Sequence, residues 1–306
     1  MRDRPYTQSE IQTFRRCKRK WWLAWHRGLR LNPELDAPNA ASLGTLVHVG
    51  LETLRAKGDW RAVLEERLET AQEIYELQPE KLAKFTKQYE LAVIMIEGYI
   101  EWLEETGADE GIEFIAMERK VEVEVRGVKL KGKLDALIRD QHGRIMFLDD
   151  KTVGSMDEIP EKAPRDQQFL HYDLLLRHAF PDEPQANGGV WNMLRKVKRT
   201  ARATPPFYGR HEYFFNVHQQ GNYYAQLLQT IAEIEEHEHA LQEGVVQSPS
   251  NLMYPTTGRD CAYFCPFNTI CPMFDDGSRI EELISDMYIE ANPLDRYDTE
   301  EESSDE

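Results

Sequence analysis

The stretch from Val128 to Thr152, VKLKGKLDALIRDQHGRIMFLDDKT, constrains the fold more than any other part of the chain. Leu130, Leu134 and Ile138 alternate with polar positions, Gln141-His142-Gly143 interrupts the run, and Ile145 to Leu148 resumes it. That pattern predicts two β-strands joined by a turn. Strand side chains point alternately to opposite faces. Lys131, Lys133 and Asp135 therefore share one face of the first strand, and Ile145, Phe147, Asp149 and Lys151 share one face of the second. Asp150 points the other way. Carboxylates arriving from both strands, with a lysine two positions after the second, predict a divalent-cation site beside a fixed positive charge. Oxygen ligands suit Mg2+ or Mn2+, and such sites usually handle phosphate. The plainer alternative is an amphipathic hairpin with solvated acids. Ile145 and Phe147 on the face of Asp149 argue against it, because an isolated carboxylate resists burial among apolar neighbours.

At 306 residues the chain is long enough for one α/β core with helical additions. Its net charge of −17 excludes a protein that coats nucleic acid by bulk electrostatics. The charge is uneven, however, with 11 Asp/Glu and one Arg between Glu281 and Glu306. Basic clusters stand at Arg15 to Lys20, beside Trp21, Trp22 and Trp25, and at Arg195 to Arg199 with Arg202. Three tryptophans at this spacing cannot all face one core, so the first cluster is expected to hold a strand, by stacking on Trp22 and by ion pairing at Arg15, Lys18 and Arg19. Lys196 and Lys198 give a second strip. No apolar run has the length of a signal peptide or a membrane span, which predicts a soluble, cytoplasmic protein with reduced thiols.

Along the chain, helices are expected over residues 6–27, 42–52, 60–77 and 81–105, then a strand over 113–125 and the hairpin. Asp166 is placed to cap a helix running to Phe180, strands return at 189–197 and 212–217, and a long helix covers 222–243. Residues 281–306 read as an acidic, disordered tail. Gly127-x4-Gly132-Lys133 imitates a P-loop, but Leu134 stands where Ser or Thr must reach Mg2+, and the segment alternates like a strand.

Gly132-Lys133-Leu134-Asp135 followed by Asp149-Asp150-Lys151 resembles the G-x-x-D and (D/E)-x-K motifs of the PD-(D/E)xK nucleases. The chain is most similar to the RecB-like branch, which includes the CRISPR-associated and AddB-type iron–sulfur exonucleases. Three further marks carry that resemblance. His48, in Gly44-Thr45-Leu46-Val47-His48, is similar to the branch's histidine-bearing helix, with Glu52 one turn on to orient the imidazole. Gln168-Phe169-Leu170-His171-Tyr172 looks like its Q-x-x-x-Y motif, with Gln167 as a rival amide. Cys17, then Cys261-x3-Cys265-x5-Cys271, resembles its four-thiolate 4Fe–4S staple, although the usual trio begins C-x2-C. A structural zinc site made of the same four thiolates is the rival, and buried free thiols are the plain alternative.

The resemblance implies an α/β fold with a restriction-endonuclease-like mixed sheet flanked by helices. It implies an N-terminal helical portion over 1–112 holding Cys17 and His48, a nuclease core over 113–259, and the cysteine segment over 260–280. It further implies a metal-dependent DNA exonuclease acting on single strands or DNA ends, cytoplasmic in a bacterial or phage-infected cell, with recombination or replication proteins as partners. Asp135, Asp149 and His48 would bind the metal, with Glu118 adding a carboxylate or holding a water. Lys151 would sit beside the scissile phosphate, and Gln168 and Tyr172 would contact nucleotide or hold the lysine and metal in place. The competing expectations are a non-catalytic DNA-binding or CRISPR-adaptation accessory protein and a nuclease subunit of a helicase–nuclease complex.

Overall fold

The computed structural model describes residues 4–36, 38, 40–244 and 249–298. Its principal elements are β1 (Tyr6–Thr7), α1 (Gln8–Arg16), α2 (Lys18–Trp21), β2 (Leu29–Leu31), α3 (Ala40–Arg55), α4 (Trp60–Ile74), α5 (Pro79–Thr106), β3 (Glu113–Val125), β4 (Val128–Arg139) and β5 (Ile145–Val153). There follow α6 (Glu158–Lys162), α7 (Gln167–Ala179), β6 (Gln185–Arg195), β7 (Tyr208–Phe214), α8 (Val217–Gln242), α9 (Pro249–Leu252), α10 (Arg259–Tyr263), α11 (Ile280–Met287), β8 (Tyr288–Glu290) and α12 (Asp295–Asp298). They form two compact units. Unit 1 holds the described residues of Met1–Asp36, Glu122–Gly132 and Gly221–Glu306, and unit 2 those of Ala37–Val121 and Lys133–Gln220. The units interleave along the chain, unlike the linear division expected at 112, 259 and 280, because the chain passes between them within β3 and β4. No helix among the described residues is long and apolar enough to cross a membrane.

Unit 2 is built on a mixed sheet flanked by helices, the expected fold class. β4 and β5 pair antiparallel, β5 and β6 parallel, and β6 and β7 antiparallel. The β4–β5 turn explains its own sequence. Asp140 Oδ1 accepts from the backbone N–H groups of His142 and Arg144, both at 2.9 Å, and Gly143 takes φ +78°, which a side chain would resist. A parallel β5–β6 pair requires a crossover, and α7 supplies it. This helix starts where Asp166 accepts from the N–H groups of Gln168 and Phe169. It is held by Phe169, whose ring stacks on Trp191 at 3.4 Å and meets Phe147 edge-on at 4.5 Å. Gly189 leaves room for the Phe147 ring, which any β-carbon there would strike. Helices α3, α4 and α5 bury Val47, Leu51, Leu64, Met95, Ile96 and Tyr99 together with Leu194 and Tyr208 of the sheet.

In unit 1, β1 pairs parallel with Leu130 and Lys131 of β4, and Thr7 caps α1. Two expectations fail here. A π-type turn over Trp22–His26, closed by Arg27 N–H to Trp22 O at 2.8 Å, shifts the helical phase. Trp21 and Trp22 consequently both bury, at 0% and 7% exposure, with Trp22 edge-on to Phe274 at 5.3 Å, so Trp22 is no open stacking surface. Nor is the described part of the acidic segment disordered. Helix α11 turns Ile280 and Ile284 inward, β8 pairs antiparallel with β2, and Tyr297 is buried. Sparse apolar residues at helical spacing suffice for a helix that has something to pack against, whatever its charge. Residues 299–306 of the expected tail lie outside the described residues.

Candidate active site

The residues of the hairpin pattern come together in unit 2. Backbone pairing of β4 with β5 runs from Arg139↔Ile145 to Ala136↔Leu148. Past that pair the Asp150 N–H donates to the carboxylate of Asp135, at 2.8 Å to Oδ2. The same oxygen lies 3.3 Å from His48 Nδ1, presented by α3. Burial alone would depress the His48 pKa. The hydrogen bond to Asp135 and the charges of Asp135, Asp150 and Asp149 outweigh it and raise the imidazole to about 9. Without a metal His48 is therefore an imidazolium, and ligation would release its proton.

Asp149 is buried, 1% exposed, and shares its face of β5 with Lys151. Its Oδ2 lies 2.6 Å from Lys151 Nζ, an ion-pair distance, yet receives no directed hydrogen bond. Oδ1 accepts weakly from Gln168 Nε2 at 3.4 Å. Burial lifts the Asp149 pKa well above the carboxylate range, and Asp135 adds to this while Lys151 and His48 oppose it. Lys151 stays charged: burial disfavours its ammonium, but Asp149 and Asp135 more than compensate. Gln168 fixes that ammonium, accepting from Nζ at 3.0 Å through Oε1 while its Nε2 donates to Tyr172 Oη at 2.8 Å. The ammonium, which can only donate, and the Asp149 carboxylate, which can only accept, set which way round the amide sits. Gln168 thus takes the role for which Gln167 was a rival.

Glu118 sits in β3 at φ +47°, strained for a residue with a side chain, and pairs with Lys133. Burial raises its pKa against the pull of Lys133, and Asp135 and Glu52 reinforce the rise. Two carboxylates and an imidazole are a donor set that suits a hard divalent cation, and the buried Asp149 Oδ2 without a directed hydrogen bond is an oxygen with lone pairs to offer. As placed, no three His, Cys, Asp or Glu among the described residues gather closely enough to hold an ion. Protein cations occupy that role, with His48 on Asp135, Lys151 on Asp149 and Lys133 on Glu118.

Sequence reasoning missed the groups behind β5. Arg55, Asn192, Tyr99 and Arg210 surround Asp150 in a hydrogen-bonded network. One signal was present: Asn192 is a lone amide within Val190-Trp191-Asn192-Met193-Leu194, and a buried amide needs partners.

The four cysteines, all unpaired and half-buried, lie in unit 1. Burial raises the Cys265 thiol, the Phe267 N–H and Lys20 pull it down, and Cys17 and Cys271 push it up again. Cys271 is raised by burial, opposed by Arg19, and raised further by Cys17 and Asp275. Cys17 thus adds to the rise at both Cys265 and Cys271, while Cys261 Sγ is 3.9 Å from Thr256 O.

The expected DNA contacts divide. Arg19 is 1% exposed, bound bidentately to Asp275 at 2.7 and 2.9 Å and to the carbonyls of Cys271, Met253 and Ser250, so it cannot reach a strand. Arg15 donates to Thr230 Oγ1 and Gln226 O of α8, both at 2.8 Å, and Lys18 Nζ meets His237 Nε2 at 3.0 Å. Lys196 and Lys198 are exposed in unit 2, Lys198 in a loose pair with Glu90 at 3.5 Å.

No curated protein matches the chain. The solved structure "Crystal structure of SSO0001" matches 76% of this chain and 84% of its own at 19% identity and a TM-score of 0.31, too loose an overlap to transfer any property. The family model of the PD-(D/E)XK nuclease superfamily matches residues 5–272, which contain every strand and helix named above except α11, β8 and α12. That match shows that the chain belongs to the PD-(D/E)XK nuclease superfamily.

Proposed function

We propose that this protein is a Mg2+- or Mn2+-dependent DNA exonuclease acting on single strands or free DNA ends, with a 4Fe–4S cluster held by Cys17, Cys261, Cys265 and Cys271. The observation that supports the nuclease reading is the set of contacts beside the β4–β5 pair that joins His48 to Asp135, and both Asp149 and Gln168 to Lys151. Asp135, Asp149 and a deprotonated His48 would hold the cation, which when bound supplies Lewis acidity at the phosphate and lowers the pKa of a water. Lys151 presents its ammonium where negative charge builds on the scissile phosphate. Gln168 holds that ammonium, and Tyr172 holds the amide. The net reaction adds water across one P–O bond and leaves a phosphomonoester and a hydroxyl. Exonucleolytic action is supported by the resemblance of the motif set to the RecB-like branch. The influence of Cys17 on Cys265 and Cys271 supports the cluster, for which Cys261 would turn from Thr256.

The deciding experiment follows 5′- and 3′-labelled single strands incubated with the protein and Mn2+, with and without chelator. Mononucleotides released from one end, lost with chelator, are expected, and intact strands at millimolar Mn2+ refute the proposal. Iron and zinc analysis of anaerobically purified protein tests the cluster, and zinc without iron would assign the cysteines to a structural zinc site instead.

A further inference from the structure

We infer that Arg55 and Asp150 are positioning residues that set the geometry of Asp135 and His48, an inference that rests on the nuclease reading above. Asp150 lies on the face of β5 opposite Asp149 and Lys151, and its side chain is 2% exposed. Arg55 grips it with both terminal nitrogens, at 2.5 Å to Oδ2 and 2.7 Å to Oδ1, and Asn192 Nδ2 donates to Oδ1 at 2.7 Å. Asn192 Oδ1 in turn accepts from Tyr99 Oη at 3.2 Å and from Arg210 Nε at 3.3 Å. Arg210 also donates to Tyr99 Oη at 3.1 Å and pairs with Asp109. The network ties α3, α5, β5, β6 and β7 to one carboxylate.

Two of its ends arrive at a single atom, Asp135 Oδ2. The residue whose side chain Arg55 locks is the residue whose backbone N–H donates to that oxygen at 2.8 Å. Arg55 also follows His48 by seven residues on α3, nearly two full turns, so both project from one helix face about 10.5 Å apart along the axis. Fixing Arg55 on β5 fixes the rotation and height of α3, and with them the His48 imidazole 3.3 Å from the same oxygen. Stability is a poor explanation for the pair, since a buried ion pair exchanged for well-packed apolar side chains is often neutral or stabilising. Holding one register of helix against strand is what a bidentate, fully desolvated pair does well.

The test uses the full chain and measures Mn2+ alone binding the DNA-free protein by calorimetry, with thermal unfolding and single-turnover cleavage across Mn2+ concentrations alongside. Arg55→Lys and Asp150→Asn should weaken Mn2+ binding about tenfold to a hundredfold, the range for groups that orient metal ligands. Saturating Mn2+ should restore their cleavage to within about threefold of the parent. The double variant Arg55→Met/Asp150→Leu should recover thermal stability but not Mn2+ affinity, which separates positioning from mere structure. If Asp150→Asn fails to fold, Arg55→Lys and the double variant decide. Parental Mn2+ affinity in a folded single variant, or recovery of both properties in the double variant, overturns the inference. Equal Mn2+ binding by the parent and an Asp149→Asn control would instead bring down the nuclease reading, and this inference with it.

Discussion

Replacing Gln168 with Leu tests how far the chemistry depends on a group that carries no charge. The substitution keeps the volume and the helical backbone of α7 but removes the acceptor that holds Lys151 Nζ at 3.0 Å and the donor that reaches Tyr172 Oη at 2.8 Å. A hydrogen bond to a charged group contributes about 1.5–3 kcal/mol, and each 1.36 kcal/mol is tenfold in rate. If the bond serves mainly to place the ammonium, single-turnover cleavage at saturating Mn2+ should slow by roughly tenfold to a hundredfold. Lys151 would retain Asp149 at 2.6 Å, so the loss should stay well short of that in Lys151→Ala. Mn2+ affinity should change by no more than about threefold, because the amide's contact with a proposed cation ligand is the weak 3.4 Å bond to Asp149 Oδ1. Gln167→Ala, one residue along and off this face, is the control and should cleave like the parent. A parental rate in a folded Gln168→Leu variant would refute the reasoning, as would a loss wholly recovered by excess Mn2+.

Asp149→Asn should abolish cleavage even at saturating Mn2+, whereas Asp150→Asn should regain it there; the reverse pattern in single-turnover assays would mean that the roles of the two neighbours are exchanged. Asp140→Ala should cost about 1–2 kcal/mol at neutral pH by opening the β4–β5 turn. Burial disfavours the Asp140 carboxylate, but the Arg144 side chain and the N–H groups of Arg144 and His142 outweigh it and lower its pKa. Its stabilisation is therefore fully present above the unfolded value of about 3.9 and lost as pH falls through the lower folded value, so the melting temperatures of parent and variant should converge below about pH 4. Arg19→Met should destabilise the protein by about 3 kcal/mol, read from denaturant unfolding, and leave strand affinity unchanged, because the guanidinium is wholly engaged inside unit 1. Lys196→Ala/Lys198→Ala should reduce the slope of log affinity against log salt by about 1–2, and an unchanged slope would exclude this strip as a phosphate contact.

What the sequence determined by itself was local and periodic. Alternation over 128–139 and 145–153 placed two strands and assigned Asp149 and Lys151 to one face, because a period of two leaves no other choice. Gln141-His142-Gly143 marked the turn, because Gly143 accepts the positive φ it needs, and Asp166 marked the start of α7, because its carboxylate satisfies backbone N–H groups two and three residues on. What the tertiary structure alone decided was which side chains lie behind that pattern and how deeply. Arg19 reads as a surface cation in a basic run, yet becomes a buried cross-link between α2 and the segment around Cys271 and Asp275. Trp22 is carried inward by one irregular turn that no periodicity announces. The acidic segment from Glu281 looks unstructured by composition and is ordered by pairing β8 with β2, a partner more than 250 residues away. Arg55 and Asp150 are 95 residues apart and acquire their relation only when α3 packs on β5. Local rules fix direction and face within a strand or helix, whereas burial and charge partnership depend on contacts between distant segments, which no short window of sequence contains.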